Sequence, residues 1–146
     1  MSKKSPKIAA LLAEAEHARH EHHERHSPYY TGYFHCFNRE LYYEAHDVLE
    51  ELWLGCKREA DGDFYKGLIQ FAGAYVHLQK ERLRPASNLF NLALANLSRY
   101  PHRHHDLDVA QVCQRCREEI AGLAASGYTV NPWSPGAGWR LRLEAI

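Results

Sequence analysis

FYKGLIQFAGAYVHLQKE, residues 64–81, is the stretch on which the fold turns. Set at 100° per residue, it is apolar around most of its circumference, and such a helix has to be covered on several sides. It is therefore expected at the centre of the molecule. The exceptions, Lys66, Gln70, Gly73, His77 and Lys80, share one narrow strip. Periodicity alone leaves open whether that strip faces a neighbouring helix or water.

Helical segments are expected on both sides of it. A second begins near Asn38, a good N-cap, with Glu40 in the first turn and Gly55 as a plausible stop, although Cys56 still lies on the apolar face. A fourth starts at Pro85 and ends before Pro101. The fifth starts near Asp106 or Asp108 and ends around Gly127, with Val109, Val112, Cys113, Cys116, Ile120 and Leu123 as its stripe. The first runs from Pro6 into the twenties on a weak stripe of Ile8, Leu11, Leu12 and Ala15.

No window alternates convincingly with period two. The fold is thus read as all-α, a single-domain antiparallel helical bundle of about five helices with an irregular C-terminal tail. Residues 1–32 hold the N-terminal helix and a His-rich segment, 33–127 the bundle core, and 128–146 the tail. Trp133 and Trp139 are expected to dock that tail on the bundle. The echo between YYEAHDVLEELW and RPASNLFNLALANL reads as two helices of one bundle, since two copies are too few for a solenoid.

Composition excludes several classes. Eighteen Lys and Arg balance eighteen Asp and Glu in 146 residues, so no net field draws in nucleic acid or an anionic membrane. No run approaches the roughly 18 apolar residues of a membrane span, and IAALLA is too short for a signal-peptide core. A cytoplasmic protein is expected, with four cysteines that need no disulfides. There is no phosphate loop, nucleophile elbow or H-E-x-x-H.

Helix two, NRELYYEAHDVLEELW at 38–53, carries His46, Glu50 and Trp53 in one row. His46 and Glu50 fall between its apolar side and its wet side, where partial desolvation shifts a pKa. Such a pair can share a metal ion, act as an acid/base couple, or form a plain border salt bridge. If the strip of residues 64–81 faces this row, Gln70 and His77 join it, with Gly73 allowing close approach. Tyr43 is a further binding candidate beside Trp53, Gln70 and His77. His46, Glu50 and His77 are the candidate metal ligands, for a divalent ion such as zinc.

Several of these segments resemble one family. FN at 37–38, YYEAHDVLEELW at 42–53, FYKGLIQFAGAYVHL at 64–78 and the stretch 86–97 look like the domain of unknown function 309 family. Its marker, His-x3-Glu-x2-Trp or Tyr, reads here from His46 through Glu50 to Trp53. The resemblance covers about residues 33 to 100. It implies a small all-α bundle of bacteria and archaea, with the marker suspected of metal binding or catalysis and no reaction attached.

Other features read more plainly. HARHEHHERH, with His17, His20, His22, His23 and His26, reads as a solvated segment whose chelation lacks fixed geometry. HRHH at 102–105 reads as a polar inter-helix loop. Cys113 and Cys116 lie on an apolar stripe with no second pair, and read as core cysteines. Two functions remain: a small metal- or acid/base-assisted enzyme, hydrolytic in type, on His46 and Glu50, or a non-catalytic helical module for a protein partner. A homodimer suits the long apolar helix and aromatic tail.

Overall fold

The structure, a computed structural model, describes residues 26–144 together with Ala9, Ala10 and Ala13. Among these residues the chain forms α1 (Pro28–Asn38), α2 (Tyr42–Cys56), α3 (Gly62–Gln79), α4 (Leu83–Leu97), β1 (Arg103–His104), β2 (Leu107–Asp108) and α5 (Val109–Ala125). The expectation of an all-α bundle holds, with one small hairpin of two two-residue strands added between α4 and α5. The helix expected from Pro6 into the twenties falls almost wholly outside the described residues.

α1 is a correction. Its sequence, PYYTGYFHCFN, is rich in aromatic residues that favour strands, and Gly32 weakens a helix further. Its start is nonetheless marked: the Ser27 side chain accepts from Tyr29 N, and Pro28 stands at the first helical position. Burial decides the rest, because Tyr30, Tyr33, Phe34, Cys36 and Phe37 all reach the core. Asn38 therefore ends a helix instead of capping one, and the 32/33 division falls inside α1. Glu40 is a left-handed turn residue at φ 60°, and α2 begins after it without a side-chain cap.

α3 is central, packed between α2 and α4, with α1 against α2 and α5 against α4. Leu68, Phe71, Ala72, Ala74 and Leu78 on α3 are wholly buried. Tyr33 donates to the Leu68 carbonyl at 2.6 Å, and Phe37 stacks on Phe71 with centroids 5.4 Å apart, tying α1 to α3. α3 and α4 pack tightly at Gly67, where an added Cβ would lie 2.8 Å from Leu97 Cγ. At Gly73 the nearest atom is Leu89 Cδ1, at 3.3 Å. The atom nearest Gly73 thus comes from α4, so Gly73 does not mark a close approach of α3 to α2.

The irregular tail docks as expected. Trp133 Nε1 donates to the Tyr42 hydroxyl at 3.2 Å, and Gly136 N and Gly138 N donate to the two Glu40 carboxylate oxygens. Asn38 exchanges two 2.7 Å bonds with the backbone of Leu141. Leu143 then bridges Leu107, which seats the chain end beside the hairpin. Cys113 and Cys116 are buried free thiols, and burial pushes both up in pKa. No helix among the described residues is long and apolar enough to cross a membrane.

Candidate functional site

The antiparallel pairing of α2 and α3 lays the two polar strips side by side. A cleft of about 280 Å³ opens between them, lined by Tyr43 and His46 of α2, by Ile69, Gln70, Gly73, Val76, His77 and Lys80, and by Leu89 of α4. The strip on α3 therefore faces a neighbouring helix, and His46, Gln70 and His77 share one cavity.

Each polar group in it has a distinct state. Tyr43 is 63% exposed and lies over His46, with centroids 6.2 Å apart and planes at 23°. Gln70 is held from α4, its Oε1 accepting from Asn96 Nδ2 at 2.7 Å. His46 Nδ1 and His77 Nδ1 are both buried and without a hydrogen-bond partner. Desolvation, helped by the charges of Arg82 and Lys80, pushes the His77 pKa below its ordinary value. At neutral pH that ring is uncharged and can accept a proton.

Glu50 and Trp53 stand apart from the cleft. Among the described residues the Glu50 side chain makes no hydrogen bond or ion pair, so the border salt bridge with His46 is not formed. Trp53 lies beneath two lysines, with Lys57 Nζ at 5.6 Å and Lys66 Nζ at 5.8 Å from the ring centroid. Lys66 is thus engaged by the indole at one end of the α2–α3 groove. His46, Glu50 and His77 do not form a set of three convergent ligands.

A second polar constellation lies at the start of α3. Asp61 is its N-cap by position, yet its side chain makes no capping bond. Its oxygens turn instead to the hairpin, with Oδ1 2.8 Å from His104 Nε2 and Oδ2 2.7 Å from His105 Nε2. Partial burial alone would raise the Asp61 pKa. Hydrogen bonds from His105 and His104, together with their charge, outweigh that and hold the carboxyl below its ordinary value. Next to it, His26 Nε2 lies 2.8 Å from Asp106 Oδ2.

HRHH is therefore more than a polar loop, and no spacing rule pointed to Asp61, 43 and 44 residues away. In a regular strand, neighbouring side chains point to opposite faces. Left-handed backbone at His105 (φ 47°) and Asp106 (φ 61°) breaks that alternation, and both rings reach one carboxylate. The only signal available was the pairing of adjacent histidines with a turn-rich ADGD upstream.

Residues 30–89 match the model of a family described as Domain of unknown function (DUF309). That span takes in most of α1, all of α2 and α3, and the first half of α4, and so every residue of the cleft. No curated protein and no solved structure matches this chain.

Proposed function

We propose that the DUF309 domain formed by residues 30–89 binds a small organic molecule in the α2–α3 cleft, with His46 and His77 as its hydrogen-bonding groups. One observation carries this reading: two imidazoles, from different helices, line the same cavity and each leaves a buried Nδ1 unpartnered. An unsatisfied buried polar atom costs roughly 1–3 kcal/mol, so a site that keeps two of them is open to a ligand that satisfies them.

The lining sets the ligand's chemistry. Ile69, Val76 and Leu89 suit an apolar body, while Lys80 supplies a cation for an acidic group. A small carboxylic acid with an apolar body fits both, and its neutral ester or amide would keep only the apolar contacts and the hydrogen bonds. A neutral His77 is a suitable general base for a water molecule, which is the hydrolytic version of the proposal. Glu50 has no place in that step.

The test is ligand-observed NMR of the full chain against a panel of small apolar carboxylates with their esters and amides. Binding is expected for the wild type and should be lost in His46→Ala and in His77→Ala. Equal binding by all three proteins, or none by any, ends the proposal. The protein-interaction module is the second reading, and the exposure of Tyr43 (63%) and Leu54 (45%) on α2 favours it. It predicts that Tyr43→Ala alters capture of a partner while small acids never bind.

A further inference from the structure

Asp61, His104 and His105 are the one group of three among the described residues whose ligating atoms all lie within 4.8 Å of one another. From this geometry we infer a divalent-metal site, of zinc type, separate from the cleft and made by the β1–β2 hairpin against the start of α3.

The donor set suits the ion. Two imidazole nitrogens and one carboxylate oxygen form a borderline set that takes Zn²⁺, with one coordination position left over. Zn–N and Zn–O distances of about 2.0–2.2 Å place tetrahedral donors roughly 3.3 Å apart. The present N···O separations are 2.7 and 2.8 Å. Inserting an ion therefore asks each imidazole to part from the carboxylate by about half an ångström. The ion takes the place of the protons now shared between each ring and the carboxylate.

The surroundings hold the ligands in place. The Phe64 ring meets His104 edge-on at 4.8 Å, and Tyr65 lies parallel to His105 at 6.2 Å and 3°. Ligand side chains are 24%, 35% and 31% exposed for His104, His105 and Asp61, so water can reach the centre without flooding it. His105 also lines a cavity of about 460 Å³ shared with His26, Tyr30, Leu52, Tyr65 and Asp106. A water or ligand donor in that cavity approaches the cluster from the His105 side.

One term opposes the ion. Asp61 stands at the positive N-terminal end of the α3 dipole, which disfavours a cation there. The carboxylate charge has to offset both that dipole and the loss of ion hydration. Asp61→Asn, which keeps an oxygen but not the charge, should therefore lose the ion while leaving the hairpin seated.

The experiment is equilibrium dialysis of the full, untagged chain with Zn²⁺, comparing wild type, Asp61→Asn, and His104→Gln with His105→Gln. The histidines at 17, 20, 22 and 23 are present in all three and contribute the same background. Wild type is expected to retain one equivalent more than either variant, and its Co²⁺ form alone should add the intense visible absorption of a tetrahedral site. Equal zinc in wild type and Asp61→Asn overturns the proposal. If circular dichroism shows the double variant unfolded, the Asp61→Asn comparison decides alone.

Discussion

The cleft and the hairpin corner use histidine in opposite ways. In the cleft, His46 and His77 ride on regular helices and leave ring nitrogens unpartnered. At the corner, His104 and His105 sit beside a left-handed turn, and both rings are matched to one carboxylate. Helical positions are set by local geometry whatever the side chain does, so a helix can present a dissatisfied group at little cost to its own backbone. The two left-handed residues of the corner are costly by themselves, and the contacts around them hold the hairpin in register. The cleft is a surface written on stable helices, whereas the corner is built into the packing.

The largest expected effect tests that distinction. Phe64 is wholly buried and touches His104, His105, Tyr100 and Tyr30 at centroid distances of 4.8, 5.6, 5.4 and 6.2 Å. Phe64→Ala should cost about 3–5 kcal/mol in denaturant unfolding, as large aromatic truncations do. No cleft substitution should approach this. If His46→Ala or His77→Ala is as destabilising, the cleft is packing and not a site.

Next come the two glycines of α3. Gly67→Ala drives a methyl to within 2.8 Å of Leu97 Cγ and 3.3 Å of Asn96 Cβ, and should cost about 1–3 kcal/mol. Gly73→Ala meets only the tip of Leu89 at 3.3 Å, and the gain in helix propensity of about 1 kcal/mol should offset that contact. Gly73→Leu should then fill the cleft and abolish ligand binding without a stability loss like that of Gly67→Ala. Equal thermal stability of the two alanine variants would show that α3 does not approach α4 as closely at Gly67 as the structure has it.

These contrasts explain what could be read from the residues. Central α3, the α2 and α4 beside it and α5 follow from 3.6-residue periodicity, which groups Gln70 and His77 on one strip but leaves its facing open; only the packing of α3 on α2 brings that strip to His46. α1 was missed since its buried face is aromatic, and tertiary burial overrode poor helix propensity. Glu50 was placed in the site by a spacing that is right for the helix but does not bring it to the cleft. The corner was illegible because Asp61 reaches the hairpin through the tertiary fold and the turn breaks strand alternation.

A smaller effect concerns acid. The His77 pKa is depressed in the folded chain, so the unfolded chain takes up the proton first as pH falls. Stability should therefore decline from about pH 6.5 downward through the folded-state value, and His77→Gln should remove that part of the decline. Asp61 adds its own loss at lower pH: its carboxyl is depressed, so its stabilisation is full above the unfolded value and disappears as pH drops through the folded one. Melting curves from pH 7 to 3 for wild type, His77→Gln and Asp61→Asn separate the two. A wild-type profile flat from pH 7 to 5 would mean that His77 is not desolvated, and the cleft would lose its neutral base.

The smallest effect is at Glu50, where the expected result is almost none. A border salt bridge between His46 and Glu50 would make Glu50→Gln less stable by the few tenths of a kcal/mol that such i, i+4 pairs provide. Among the described residues Glu50 has no such partner, and surface changes away from specific contacts usually stay within about 0.5 kcal/mol. Glu50→Gln should thus melt with the wild type, bind the same small acids in the cleft, and retain the same zinc at the corner. A clear fall in stability would restore the ion pair. Loss of ligand binding would draw Glu50 into the cleft in the bound state, and the row on α2 would then work as one unit.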